Sequence, residues 1–313
     1  MALKFHPDSL PDLSGRVYVV TGGNTGIGFH TVLHLAKHNA KVYLAARSAE
    51  KGTSAVESIV STVPNAKVEL LLMDLMILHS VVAATQEIMK KEERLHGLVN
   101  SAGIMAVPLE ITADGFESQF QVNYLAHWLL TYRLMPLLQK TTLESAIGDV
   151  RIVNVSSMGH KAAPSEGIKF DDINLRDAFT FTRYGQSKLA NVLHAKSLND
   201  RFGPKSESAK NRGAIWAVSL HPGNIDTQLN NNSWGSSFTP VLRCFGVYIK
   251  PEEGSFNSLF AVASTEFGPD DCGEYFVPIA ERSKPSSKAN DVDLREKLYA
   301  WTEEEMRKRG LID

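Results

Sequence analysis

The sequence predicts an α/β fold in which a doubly wound parallel sheet lies between two layers of helices. Short β-branched runs alternate with amphipathic stretches along most of the chain. The β-branched runs are apolar almost throughout, as expected for parallel strands that are buried on both faces. A glycine-rich turn follows the first of them. Because no repeat or low-complexity linker divides the 313 residues, we expect a single domain over 1–313 with its core at about 15–280.

The elements can be assigned in order along the chain. Runs such as RVYVVT and KVYLAA are typical of buried strands, and the stretches between them repeat apolar residues with helical spacing. We predict strands at 16–21, 41–46, 67–73, 96–100, 151–156 and 214–220. We predict helices at 26–38, 49–62, 77–93, 116–140 and 179–202, with a C-terminal helix at about 291–309. Pro136 is expected to kink the fourth helix.

Two segments interrupt this alternation. Residues 204–212 are polar and charged, which predicts a surface loop. Residues 224–250, after the sixth strand, are rich in Asn, Ser, Gly and aromatic side chains. Ligands of such sheets bind beyond the carboxyl ends of the strands, so we interpret 224–250 as a lid-like insertion over a substrate. A disordered insertion is the alternative.

Composition and charge exclude several classes of protein. The 33 Lys and Arg residues against 35 Asp and Glu give a net charge of −2, which leaves no excess for binding a nucleic acid or an anionic membrane. Cys244 and Cys272 cannot build a disulfide framework or a zinc site by themselves, and we expect no metal. The sequence has no apolar run typical of a signal peptide or a membrane anchor, so the expected location is cytoplasmic.

The turn after the first strand has the character of a phosphate-binding loop. It reads Thr21-Gly22-Gly23-Asn24-Thr25-Gly26-Ile27-Gly28, with the spacing TGxxxGxG. Glycines at these positions let the backbone approach a pyrophosphate, and the following helix presents its free N–H groups to the negative charge. A strand before the loop and a helix after it indicate a Rossmann-type nucleotide site. The spacing differs from the usual GxGxxG, and a purely structural turn is the alternative.

The end of the second strand indicates which nucleotide binds. NAD-preferring sites usually place an acid there, whereas an arginine suits the 2′-phosphate of NADP. Here the strand ends at Ala46 and Arg47, and Glu50 lies inside the following turn. We therefore predict NADP(H), with a merely solvated Arg47 as the alternative.

Tyr184 and Lys188 are the candidate catalytic pair. Their i, i+4 spacing places both on one face of a helix. A free tyrosine has a pKa of about 10, and a neighbouring ammonium favours the phenolate. A lowering of that pKa by roughly three units would also need the cofactor's cationic nicotinamide and partial burial. The YxxxK spacing is common by chance, but here it follows the glycine loop and a strand ending in Asn154-Val155-Ser156-Ser157.

With these motifs the chain resembles the short-chain dehydrogenase/reductase superfamily, in particular its retinol-dehydrogenase-like branch and related fungal and plant reductases. The matching segments are TGGNTGIG, MDL, NSAG, VNYLAHWLLT, VNVSS, YGQSK and HPGNIDT. They occur in family order from Thr21 to Thr227, about two thirds of the chain. Ser101 replaces the commoner asparagine of NNAG, and the 27 positions between Ser157 and Tyr184 exceed the usual family spacing.

The resemblance implies a role for each catalytic residue. Tyr184 would be the general acid in carbonyl reduction and the base in alcohol oxidation. Lys188 would bind the nicotinamide ribose and tune Tyr184, and Ser157 would hydrogen-bond the substrate oxygen. Asn123 would hold a water in a proton relay through Lys188.

The resemblance also implies further cofactor contacts. Their positions are Asp74 and Leu75 at the adenine, Asn100, Ala102 and Gly103 at the adenosine ribose, and Pro222, Gly223, Ile225 and Thr227 at the nicotinamide carboxamide. Relatives pair through helices that begin here near 116 and 179, so a homo-oligomer is compatible with the sequence.

Several assignments stay open at this point. Ser156 is an alternative to Ser157, although strand alternation points it to the other face. The side chain of Asn123 could instead hydrogen-bond a backbone group of its helix. The remaining candidates are His160 and His221 as general acids or ordinary loop histidines, Arg133 as an ion-pair or cofactor contact, and Met105 and Trp234 as pocket or packing residues.

The leading hypothesis is an NADPH-dependent oxidoreductase that interconverts a carbonyl and an alcohol on a lipophilic small molecule, a ketoreductase with secondary metabolism as one setting. One alternative keeps the fold and carries out non-redox isomerisation, dehydration or cyclisation. Another is a binding protein that senses NADP(H) without turnover. The intact Ser157, Tyr184 and Lys188 favour the first hypothesis.

Overall fold

The computed structural model describes residues 5–223 and 250–313, and an eight-stranded sheet lies at its centre. The strand order is β3-β2-β1-β4-β5-β6-β7-β8. Strands β1 to β7 are parallel, and β8 pairs antiparallel with β7. The strands are β1 (Val17–Thr21), β2 (Lys41–Ala46), β3 (Lys67–Leu72), β4 (Gly97–Asn100), β5 (Arg151–Val155), β6 (Trp216–Leu220), β7 (Tyr275–Val277) and β8 (Glu281–Ser283). The predicted doubly wound α/β fold is confirmed.

Helices cover both faces of the sheet. They are α1 (Gly26–Lys37), α2 (Ala49–Thr62), α3 (Leu78–Lys91), α4 (Ser118–Phe120), α5 (Ala126–Leu143), α6 (Thr180–Phe202), α7 (Glu207–Arg212), α8 (Pro251–Ala263) and α9 (Val292–Lys308). Apolar side chains of α1, α2 and α8 form one core cluster with the sheet, and those of α3, α5, α6 and α9 form the other. No helix in the described ranges is long and apolar enough to cross a lipid bilayer.

Burial on both faces explains why the strands are apolar throughout. In β1, Val17 and Val19 belong to the core under α5 and α6, whereas Tyr18 and Val20 belong to the core under α1 and α8. Successive side chains of a strand point to opposite faces, so every position of β1 is buried. The two-sided core therefore holds the carboxyl end of β1 in a fixed position.

One predicted loop is wrong. Within 204–212 the chain forms α7, whose first turn is capped by the Ser206 side chain accepting a hydrogen bond from the Ala209 N–H. Glu207 follows the cap, where the helix dipole favours an acidic residue. The polar composition that suggested a loop is that of a short exposed helix with a serine cap.

The predicted helix at 116–140 is interrupted near its start. A π-helical turn (Gln121–Leu125) joins α4 to α5, and Pro136 lies inside α5. Such π-turns are rare and often occur at functional sites. This one contains Asn123. The predicted lid at 224–250 lies almost wholly outside the described residues.

The strand order reverses between β1 and β4. From β1 the chain builds outward through β2 and β3, then crosses back to add β4 on the other side of β1. Ligands of open α/β sheets bind beyond the carboxyl ends of the strands at such a switch point. Thr21 ends β1 and Asn100 ends β4, so the expected binding crevice lies beside these two residues.

Candidate active site

A cleft of about 1200 Å³ opens at the carboxyl ends of β1 to β4. It runs from the loop before α1 to the segment after β4. Most of the predicted cofactor residues line it, namely Gly22, Asn24, Thr25, Gly26, Ile27, Gly28, Arg47, Asp74, Leu75, Ala102 and Gly103. Met105, which the sequence left between pocket and packing, lines it too. The structure therefore brings distant parts of the chain together around one crevice.

The glycine loop has the shape that a pyrophosphate requires. Gly22 has a φ of +66°, and a Cβ there would lie 3.0 Å from the Ala102 Cα. A Cβ on Gly28 would lie only 2.3 Å from the Gly22 carbonyl oxygen. The loop therefore folds tightly onto the first turn of α1. This turn lines the cleft, and its N–H groups have no partner within the helix. These residues fit a dinucleotide.

Arg47 lies at the end of β2, at one end of the cleft. Its exposed side chain lines the cleft together with Ser48, Glu50 and Lys51. The Ser48 side chain accepts a hydrogen bond from the Lys51 N–H and caps α2. The local charge is thus two cations and one carboxylate, an arrangement suited to a phosphate group.

The other predicted cofactor residues lie elsewhere. Asn100 is buried, and its amide donates to Asn154 Oδ1 at 2.8 Å and to Thr131 Oγ1 at 3.2 Å. Pro222 and Gly223 follow β6. Ile225 and Thr227 lie outside the described residues. The assignment of these residues to the cofactor stays a prediction.

Ser157, Tyr184 and Lys188 come together beyond the carboxyl end of β5. Ser157 begins a short 3₁₀ turn (Met158–Ala162), and its Oγ accepts from the Gly159 N–H at 3.0 Å. Tyr184, on α6, lies beside the Ser157 side chain, since a Cβ built on Gly159 would lie 3.4 Å from Ser157 Oγ and would also touch the Tyr184 ring. A Cβ on Gly159 would approach a Tyr184 ring carbon to 2.7 Å, so the turn packs directly on the phenol. The fold therefore brings the three predicted catalytic residues together, and their catalytic roles stay a prediction.

Burial sets the ionisation of the catalytic pair. It raises the pKa of Tyr184 to about 12, and the hydrogen bond with Ser157 acts in the opposite direction. Burial also lowers the pKa of Lys188 to about 8. The Lys188 Nζ donates to the Val155 carbonyl at 2.9 Å and lies 5.8 Å from the Tyr184 ring centroid. Burial was expected to help lower the pKa of Tyr184, but in the structure it raises that pKa, and the phenol keeps its proton at neutral pH. The influence of Lys188 and a bound nicotinamide stays a prediction.

Asn123 joins the π-helical turn to the wall of the cleft. Its Oδ1 accepts from the Ile104 N–H at 2.8 Å, and its Nδ2 donates to the Ile104 carbonyl at 2.9 Å and to Ser187 Oγ at 2.9 Å. A Cβ on Gly103 would lie 3.0 Å from this Oδ1 and 3.4 Å from Lys188 Nζ. Asn123 thus fixes the cleft wall beside the lysine. Its relay role stays a prediction.

Contacts in the structure bear on three of the residues whose assignment was open. Ser156 Oγ donates to the Lys188 carbonyl at 2.7 Å, which favours Ser157 as the serine that faces Tyr184. Arg133, on α5, donates to Thr85 Oγ1 on α3 and to the Leu311 carbonyl after α9. It does not line the cleft. His221 is buried, and its carbonyl accepts from the Asn257 amide. Trp234 lies outside the described residues.

His127 is a site residue that the sequence reasoning missed. Its Nδ1 lies 3.0 Å from the Asn123 carbonyl, which only accepts, so Nδ1 carries the proton. Its Nε2 then accepts from the Thr21 hydroxyl at 2.8 Å. The same Thr21 oxygen accepts from the Ser101 and Ala102 N–H groups, each at 2.9 Å. His127 therefore ties the π-helical turn to the ends of β1 and β4. The sequence signal was a histidine one helical turn after Asn123.

The floor of the cleft on α2 was also missed. Lys51, Ser54, Ala55 and Ser58 line it. Their i, i+3, i+4, i+7 spacing marks one helix face, and this spacing was readable in the sequence.

Buried histidines make the fold sensitive to acid. Burial lowers the pKa of His96, His127 and His221 to about 4 and that of His194 to about 3. Unfolded histidine has a pKa of about 6.5, so between these values the unfolded chain binds more protons than the native one. The stabilisation is complete above about pH 6.5 and is lost as the pH falls toward 4.

We therefore expect the free energy of unfolding to fall by at least about 2 kcal/mol between pH 7 and pH 5, measured by urea titration. His127→Gln should reduce that slope, whereas His79→Gln, at an exposed position, should leave it unchanged. Stability that is flat across this interval would contradict the burial of these rings as neutral groups.

Comparison with known proteins agrees with the geometry. The family model for short chain dehydrogenase matches residues 16–169. A short-chain dehydrogenase/reductase, drtF of Aspergillus calidoustus, is 52% identical over 310 residues, covering 98% of each chain. Mouse retinol dehydrogenase 12 is 34% identical over 289 residues, covering 92% of this chain and 85% of its own. These relatives confirm the resemblance to fungal reductases and to the retinol-dehydrogenase branch.

A solved structure shares the fold. A Shigella flexneri short chain dehydrogenase, crystallised with NADP, superposes with a TM-score of 0.63 at 20% identity, covering 85% of this chain and 98% of its own. Together with the matched sequence and the grouped serine, tyrosine and lysine, the relatives show the family of the chain. The chain belongs to the short-chain dehydrogenase/reductase family and is an oxidoreductase of that family.

Proposed function

We propose that the chain is an NADPH-dependent ketoreductase that interconverts a carbonyl and an alcohol on a lipophilic small molecule. The observation that carries the proposal is that Ser157 and Tyr184 meet at Gly159, with Lys188 one helical turn after Tyr184. This group lies at the same edge of the sheet as a phosphate-binding loop. An arrangement of this kind can protonate an oxygen while a bound dinucleotide is held nearby.

The chain's own residues supply orientation and a proton. The glycine loop would hold the pyrophosphate and Arg47 the 2′-phosphate, and the bound nicotinamide supplies a hydride. Tyr184 keeps its phenolic proton at neutral pH and donates it to the carbonyl oxygen. Ser157 donates a hydrogen bond to the same oxygen. Lys188, with its pKa near 8, can replace the proton that Tyr184 gives up.

Arg47 and the cleft lining support the choice of cofactor and substrate. Arg47 is the planar donor at the end of β2, and the Shigella relative of the same fold was crystallised with NADP. Ile104, Met105 and Val107 give the cleft an apolar wall beside Gly103. An apolar wall favours a lipophilic substrate. The relative retinol dehydrogenase 12 is named after a lipophilic alcohol.

The test is the loss of NADPH absorbance with a panel of hydrophobic ketones, aldehydes and quinones. NADPH-dependent turnover with an alcohol product supports the proposal. A product of the same mass as its substrate would mark a non-redox reaction. Tight NADPH binding without turnover across the panel would count against a reductase and favour a sensing role.

Arg47→Leu tests the cofactor preference. Charge-assisted hydrogen bonds contribute about 1.5–3 kcal/mol, so we expect kcat/KM for NADPH to fall by roughly 10- to 100-fold. The value for NADH should change less than about threefold, because NADH has no 2′-phosphate. Arg176→Leu, at an exposed arginine outside the cleft, is the matched control. Equal losses with both nucleotides would remove Arg47 as the phosphate contact.

A further inference from the structure

His160 joins the catalytic serine to a distant part of the chain. Its Nδ1 lies 2.7 Å from the Ser157 carbonyl oxygen, and its Nε2 lies 3.0 Å from the Ser286 main-chain nitrogen. The ring is 1% exposed and packs edge-on against Tyr275, with centroids 5.1 Å apart. Ser286 follows β8 and precedes α9. His160 is 126 residues from Ser286 in the sequence, so the imidazole links distant parts of the chain.

The two partners fix the state of the ring. The Ser157 carbonyl can only accept, so Nδ1 must carry a proton. The Ser286 N–H can only donate, so Nε2 must be unprotonated. Both bonds are made only by the neutral Nδ1–H tautomer. With both nitrogens occupied, His160 has no proton to offer a substrate, and this argues against its candidate role as a general acid.

The turn that carries Ser157 needs such support. It is a 3₁₀ segment of five residues, too short to be stable without tertiary contacts. The Ser157 carbonyl accepts both the His160 backbone N–H, at 3.1 Å, and the imidazole N–H. The Ser157 side chain accepts from Gly159 in the same turn, and Gly159 packs on Tyr184. A shift of this turn would therefore move the Ser157 hydroxyl relative to the phenol.

We propose that His160 is a positioning residue for Ser157: one ring nitrogen holds the serine's carbonyl, and the other anchors it to the chain before α9. The inference rests on the proposed function, because positioning matters only if Ser157 acts on a substrate. Small errors in the geometry of a catalytic group reduce rate much more than they reduce cofactor binding. The expected signature is therefore a change in kcat with the KM for NADPH unchanged.

Two variants separate the two bonds. The amide of His160→Asn ends near the position of Nδ1 and can donate to the Ser157 carbonyl, but it cannot reach Ser286. The longer side chain of His160→Gln can reach Ser286, but it has no donor at the position of Nδ1 for the Ser157 carbonyl. His160→Asn keeps one of the two bonds, so we expect its kcat to be about three- to tenfold lower than wild type. His160→Gln and His160→Phe lose the hold on Ser157, and their kcat should be lower than that of His160→Asn and at least about tenfold lower than wild type.

Loss of rate in His160→Asn with recovery in His160→Gln would mean that the anchor to Ser286 matters and the hold on Ser157 does not. Full activity in all three variants would overturn the proposal. Thr302→Val removes a buried hydrogen bond with Tyr124 on the helix side of the fold and controls for loss of stability alone.

A measurement on the unmodified protein needs no substrate. In ¹⁵N-histidine-labelled protein at pH 7, with the resonance assigned by its loss in His160→Asn, the ring should be the Nδ1–H tautomer. An Nε2–H tautomer or an imidazolium would overturn the bridge. If no carbonyl is reduced but this tautomer is observed, the proposed function fails while the bridge itself stands.

Discussion

Tyr184→Phe should lower kcat for carbonyl reduction by at least about 1000-fold and leave the affinity for NADPH within a factor of about three. The substitution removes one oxygen and keeps the buried ring, so the fold and the packing on Gly159 are retained. General acid catalysis contributes about 10²- to 10⁴-fold, and the proposed mechanism assigns that role to Tyr184 alone. Turnover and NADPH binding are measured separately, by absorbance and by fluorescence titration.

The pKa of Tyr184 also predicts how the rate depends on pH. Because burial raises that pKa to about 12, the phenol stays protonated through the neutral range and reduction should be nearly level there. Alcohol oxidation needs the phenolate, so its rate should rise with pH. Tyr132→Phe, on α5 away from the cleft, is the matched control and should change neither rate. Reduction that survives Tyr184→Phe would require a different proton donor.

Gly28→Ala should weaken NADPH binding by at least about 100-fold and lower the free energy of unfolding by about 2–4 kcal/mol. The added methyl would lie 2.3 Å from the Gly22 carbonyl oxygen and 2.7 Å from its carbon. Both atoms are backbone, so the clash cannot be relieved by turning a side chain. The loop must separate from α1, and the N–H groups that would meet a pyrophosphate lose their arrangement.

Gly268→Ala is the matched control for this prediction. Gly268 has an ordinary negative φ, and the nearest atom to an added Cβ is 3.9 Å away. Its effect on stability should stay within about 0.5 kcal/mol, with NADPH binding unchanged. Wild-type affinity in Gly28→Ala, measured by fluorescence titration, would show that the phosphates are bound elsewhere.

The sequence was most informative where chemistry depends on local spacing. Tyr184 and Lys188 are one helical turn apart, and the glycines of the loop are neighbours in the chain, so both groups could be assigned before the fold was known. Strand positions could be predicted for a similar reason. Burial on both faces leaves an apolar run such as VYVVT in β1.

Contacts between distant segments were not readable in the same way. The pairing of His160 with Ser286, and of His127 with Thr21, depends on where the helices settle on the sheet. The effect of burial on the pKa of Tyr184 was not readable either, because a four-residue spacing does not reveal how far the fold encloses the phenol. The short α7 was missed because a polar helix with one serine cap has the composition of a loop.

The last residues of the chain matter for the order in which the protein folds during synthesis. Met306, Leu311 and Ile312 belong to the core cluster under α5 and α6, and the Leu311 carbonyl accepts from Arg133. A nascent chain that has emerged only as far as α8 can cover one face of the sheet with α1, α2 and α8. The opposite face has α3, α5 and α6 by then but lacks α9 and residues 311 and 312, so its core is completed later than the core under α1 and α8.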